Sequence, residues 1–110
     1  MRTSAIYTPH APEQAEASTW PGPALLDFGT SWCGHCSRAA PLVEAALAPH
    51  PAVRHLRVED GPGRRLGRQF GVTLWPTLVF LRDGQEVCRL VRPTEAADLT
   101  QALERIDPRD

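Results

Sequence analysis

Two cysteines three positions apart stand in the run Trp32-Cys33-Gly34-His35-Cys36. The run follows a short apolar stretch that reads as a buried strand, and it opens a helical pattern. A helix start turns unpaired N–H groups and a partial positive charge toward its first residue. A thiolate is stabilised there, so the Cys33 thiol is expected to be more acidic than the ~8.5 of a free cysteine. The thiolate is the attacking species in disulfide exchange. Cys36 lies one turn on, within reach of Cys33 for a disulfide, and Gly34 lets the backbone turn tightly without Cβ crowding. Cys33 is therefore expected to be the nucleophile and Cys36 the resolving thiol. The rival chemistry is a metal site, but structural zinc takes four ligands, typically from two pairs. Here there is one Cys-x-x-Cys and only scattered His10, His50 and His55. No metal is expected, and no cofactor beyond the dithiol itself. An inert pair is the remaining alternative.

The elements that must position this pair can be read from pattern. Ala24 to Phe28 is a compact apolar run with one oddity, Asp27. Gly29 to Ser31 break it. A helix is predicted from about Cys33 to Leu47, with a kink at Pro41, because proline removes a helix hydrogen bond. Val53 to Val58 read as a strand interrupted by His55 and Arg57. Gly61-Pro62-Gly63 is a turn, and residues 64–70 a short helix stopping at Gly71. Thr77 to Leu81 form an apolar strand, Asp83-Gly84 a hairpin turn, and Glu86 to Val91 the partner strand. Thr94 is expected to cap a last helix whose apolar face is Leu99, Ala102, Leu103 and Ile106. Ahead of these, Ala5 to Thr8 suggest a short edge strand. Residues 12–19 suggest a brief helix with Pro12 in its first turn. Strands alternating with helices imply a parallel βαβ unit, and the hairpin adds antiparallel strands. The expected class is α/β, a central mixed sheet with helices on both faces. No repeat, linker or second domain is visible, so residues 1–110 are expected to form one domain.

These residues resemble the thioredoxin family over roughly positions 24–106. The marks are Leu26-Asp27-Phe28, Trp32 to Cys36, Pro41, Phe70-Gly71-Val72, Trp75-Pro76-Thr77 and Asp83-Gly84, in that order. The resemblance implies a thioredoxin-like fold and thiol–disulfide exchange on protein disulfides, with a reductase or a small thiol as electron donor. It implies that Asp27, the buried acid before the motif, moves protons to and from Cys36. Desolvation in an apolar strand favours a carboxyl that can act as a base near neutral pH. It also implies a cis Pro76, with the backbone at residue 75 pairing with substrate polypeptide. Trp75, Pro76 and Thr77 are thus the expected substrate-binding residues, and Trp32, Gly34 and His35 the ones that tune the thiolate.

Three departures stand out. Trp75 replaces a smaller residue and could narrow the groove or supply an apolar anchor. Gly34-His35 matches the protein disulfide isomerase dipeptide, and a protonated His35 would favour the thiolate and raise the reduction potential. That makes oxidase or isomerase work the alternative to disulfide reduction, with a redox-inert peptide-binding module as a third reading. Last, no glycine follows the final strand in Val91-Arg92-Pro93-Thr94.

The totals exclude other classes. The chain has 110 residues, 42% apolar, with 12 basic and 13 acidic side chains and a net charge of -1. No strong field favours nucleic acid or an anionic membrane. The Arg64, Arg65 and Arg68 cluster reads as a solvated helix face. Nothing approaches the ~18 apolar residues of a membrane span, and the first thirty residues lack a signal peptide's apolar core. A cytoplasmic monomer is expected. Cys88 reads as a small apolar residue, and His50 and His55 as surface or strand-edge residues.

Overall fold

The computed structural model describes residues 7–8 and 12–108. Its elements are α1 (Gln14–Ala17), β1 (Pro23–Gly29), α2 (Gly34–Leu47), β2 (Arg54–Glu59), α3 (Arg65–Gln69), β3 (Thr77–Arg82), β4 (Gln85–Val91) and α4 (Ala96–Ile106). The strands form one sheet in the order β2-β1-β3-β4. β1 and β2 are parallel, joined through α2, while β3 runs antiparallel to both β1 and β4. This is the mixed sheet expected from the pattern. Thr8 adds a parallel bridge to Val58, donating to the Arg57 carbonyl at 2.8 Å. The rest of the proposed first strand, residues 5–6, lies outside the described residues, as does His10.

Strand alternation sends side chains to two cores. Leu25 on β1 and Leu78 and Phe80 on β3 meet Val43 and Leu47 of α2 and Leu99, Leu103 and Ile106 of α4. Leu26, Phe28, Val79 and Leu81 point the other way, onto Ala17 of α1 and Leu66 of α3. Each large apolar side chain buried this way contributes about 1.5–3 kcal/mol. The period of two places Asp27 and Gly29 on the face of Leu25, under α2.

Local chemistry sets the ends of the elements. Asp83 and Gly84 take positive φ values of 51° and 79°, the conformation that two-residue hairpins require. The Asp83 side chain accepts from the Gly22 N–H at 2.7 Å, fastening the hairpin to the start of β1. A Cβ on Gly84 would meet the Ser18 backbone, so the close approach also demands glycine. α2 runs through Pro41, which is exposed.

Three expectations need correction. Glu95, not Thr94, is the N-cap of α4, and it makes no side-chain cap hydrogen bond. Pro12 lies ahead of the α1 N-cap, Glu13, rather than inside the first turn. His50 and His55 are 1% and 3% exposed and are not surface residues. His50 is drawn inward by acids on and just past α4: Nδ1 is 2.8 Å from Asp107 and Nε2 3.4 Å from Glu104. β2 is indeed an outer strand, but the face that carries His55 and Arg57 is covered by α2 and holds Asp27. Cys88 is half-buried at the margin of the α4 core.

Candidate active site

Cys33 is the N-cap of α2, with extended backbone angles, and its sulfur accepts the Cys36 N–H at 3.1 Å. Both cysteines are free thiols. The Cys36 thiol is pushed up to about 11, first by burial and then by donating its proton to the Cys33 sulfur. The arrangement is asymmetric: Cys36 holds a proton and Cys33 receives hydrogen bonds. That is the geometry of a nucleophile backed by a resolving thiol.

Gly29 makes room for this pair. A Cβ there would stand 2.5 Å from Cys36 Sγ and 2.8 Å from the Tyr7 hydroxyl. Neither neighbour can yield freely, since the sulfur is held by a helix and the phenol hydrogen-bonds it. Gly29→Ala should therefore cost about 1–3 kcal/mol, the usual range for overpacking. A urea-unfolding midpoint equal to that of the unaltered protein would refute the crowding. Burial and the charge of Asp27 push the Tyr7 phenol far above its ordinary range, so it stays protonated and donates to Cys36. Tyr7 was not legible in the sequence, because no motif surrounds it.

Asp27 is 3% exposed and faces two bases on β2. Its Oδ2 lies 3.4 Å from His55 Nε2 and 3.5 Å from Arg57 Nε. Arg57 also reaches Glu44 of α2 at 4.0 Å and stacks over Tyr7. Tyr7, Thr30, Cys36 and Arg57 line a cavity of about 440 Å³ that opens beside the resolving sulfur.

The turn before β3 comes up beside the motif. Trp32, 77% exposed, meets Trp75 edge-on at 5.5 Å between ring centroids. The Trp75–Pro76 peptide is cis. The Trp75 indole donates to Asp60 at 2.7 Å, and Gly67 of α3 leaves the space that this carboxylate occupies. Neither Asp60 nor Gly67 carried a signal in sequence. Thr77 is buried and donates to the Leu74 carbonyl at 2.6 Å, so it shapes the turn instead of lining the surface.

His35 stands at a cleft with two arginines. The charge of Arg92, then desolvation and the charge of Arg38, hold its pKa below the ordinary histidine range. Its Nδ1 lies 3.1 Å from Arg38 Nη2, an arrangement in which a neutral imidazole accepts. The proposed imidazolium beside Cys33 is therefore disfavoured. Where a glycine was missing, Arg92 takes φ +50° and donates from Nε to the Trp75 carbonyl at 2.8 Å.

Among the described residues no group of His, Cys, Asp and Glu could hold a metal ion. No helix among the described residues is long and apolar enough to cross a membrane.

A dithiol at a helix start, on a four-stranded mixed sheet and beside a cis-proline turn, defines a thiol–disulfide oxidoreductase of thioredoxin fold. The thioredoxin family profile matches residues 14–105. A thioredoxin of Chlamydia muridarum is 36% identical over 84 residues, covering 76% of this chain and 82% of that protein. Human protein disulfide-isomerase A2 is 40% identical over 90 residues, 76% of this chain but 17% of its own length. The structure of reduced thioredoxin 2 from Pseudomonas aeruginosa superposes with a TM-score of 0.84 at 53% identity, covering 94% of this chain and 96% of that one. The chain belongs to the thioredoxin family, whose members exchange disulfides through their own active-site cysteines and need no cofactor.

Proposed function

We propose that the protein is a disulfide reductase acting on protein disulfides, as a monomer in the cytoplasm, rather than an oxidase or isomerase. The Cys33 thiolate attacks one sulfur of the substrate disulfide, and the other sulfur leaves as a thiolate. Cys36 loses its proton and attacks Cys33 Sγ, releasing the second substrate thiol and closing the Cys33–Cys36 disulfide. The substrate gains two electrons and two protons, and the dithiol is oxidised. A dithiol reductase or a small thiol then restores it. Asp27 and Tyr7 handle the proton at Cys36, and the backbone of Trp75, next to Pro76, pairs with the substrate chain.

The direction is supported by the likeness to thioredoxins over most of the chain. The charges of Arg92 and Arg38 lower the His35 pKa, so His35 does not add the imidazolium that the oxidase reading invokes. The test is the equilibrium reduction potential of the Cys33–Cys36 couple in dithiothreitol and glutathione buffers. A value near ~-270 mV is expected, and one of ~-180 mV or higher would favour oxidase or isomerase work.

A further inference from the structure

Two arginines flank the motif without partners of opposite charge. Arg57, Arg64, Arg65 and Arg89 each reach a carboxylate. Arg38 and Arg92, like Arg54, Arg68, Arg82 and Arg105, form no ion pair with any described residue, and these two share one cleft beside the motif. That cleft, about 230 Å³, lies between the start of α2 and the loop before α4. It is lined by His35, Arg38, Ala39, Leu42, Arg92, Pro93 and Thr94. The charge of Arg92, then desolvation and the charge of Arg38, lower the His35 pKa.

Arg92 does more than add charge. Its backbone holds a left-handed conformation that favours glycine. Its N–H donates to the Pro76 carbonyl at 2.9 Å, while Nε occupies the Trp75 carbonyl. A substrate strand pairing at residue 75 uses that carbonyl as an acceptor, in competition with the Arg92 side chain. A neutral substrate loses one hydrogen bond in the exchange. A substrate with a carboxylate at the cleft replaces it with a charge-assisted one.

We propose that this cleft is an anion-accepting subsite, in which Arg38 and Arg92 select polypeptide disulfides carrying an Asp or Glu beside the reactive cysteine. The inference rests on the reductase reading above and names its substrate class. Selectivity comes from both attraction and the displaced hydrogen bond.

The test uses pre-reduced full-length protein and two disulfide peptides, identical except for Glu or Gln flanking the cysteine. The rate of the first exchange is followed by stopped-flow tryptophan fluorescence. The unaltered protein should prefer the Glu peptide by about fivefold at low salt, the upper end for an exposed ion pair. The preference should shrink as salt screens the charges. Arg38→Gln should weaken it. Arg92→Gly, which suits the left-handed backbone, should weaken it and also speed the Gln peptide by freeing the Trp75 carbonyl. Equal rates for the two peptides, or a preference that persists when Arg38→Gln and Arg92→Gly are combined, would overturn the subsite. Failure of the unaltered protein to reduce either peptide would instead overturn the reductase reading beneath it.

Discussion

Cys33→Ser should bring turnover of a protein disulfide down to the uncatalysed background, while Cys36→Ser should still attack substrate and then stall. The asymmetry follows from geometry. Cys33 sits at the helix start and accepts two hydrogen bonds, one from the Cys36 N–H and one from its thiol. Cys36 is deeper, protonated up to about 11, and attacks only after the first exchange has placed a disulfide on its neighbour. Removing the first thiol removes the only route into the cycle. Removing the second leaves the mixed disulfide with no internal exit. Mass spectrometry of Cys36→Ser mixed with an oxidised protein substrate should detect a covalent adduct through Cys33. Absence of the adduct, with Cys33 still open to alkylation, would reject the assigned order of attack.

Asp27→Asn should slow the resolving step by about a hundredfold, the low end for general acid–base assistance, and leave the first attack nearly untouched. At neutral pH Cys36 is a thiol, because its pKa is raised, and it must lose a proton to attack. The resolving rate should therefore climb as pH rises above neutral. Asp27 is a buried acid on the same face of β1 as Gly29, which abuts the sulfur. Arg57, 3.5 Å from Asp27 Oδ2, lines the cavity onto which Cys36 opens. Asparagine preserves the shape and removes the proton acceptor. Rapid-quench separation of the two steps would decide the matter. Equal slowing of both steps would mark a structural role, and unchanged resolution would remove Asp27 from proton transfer.

The resolving environment is built from parts far apart in sequence. Tyr7 comes from before the first helix, Gly29 and Asp27 from β1, and His55 and Arg57 from β2. Their meeting depends on the parallel pairing of β1 with β2, in which Asp27 stands directly beside Arg57. A one-residue slip in that register would turn Asp27 to the opposite face.

Much was legible in the chain alone because it is local chemistry. The Cys33–Cys36 spacing, the strand that ends before it and the helix that begins there all lie within a few residues. The alternation along β1 and β3 and the apolar stripe of α4 follow from the periods of two and 3.6. The Asp83-Gly84 turn follows from the positive φ values it needs. What the tertiary structure alone decided is where charges are compensated. His50 and His55 read as surface groups, because nothing nearby in sequence explains burying an imidazole. Acids on and after α4 and on β1 bring them in. The sequence left the charge of His35 conditional, and arginines from the next helical turn and a distant loop lower its pKa. Electrostatic interactions act through space between groups that the chain separates, so only the folded arrangement fixes their sign.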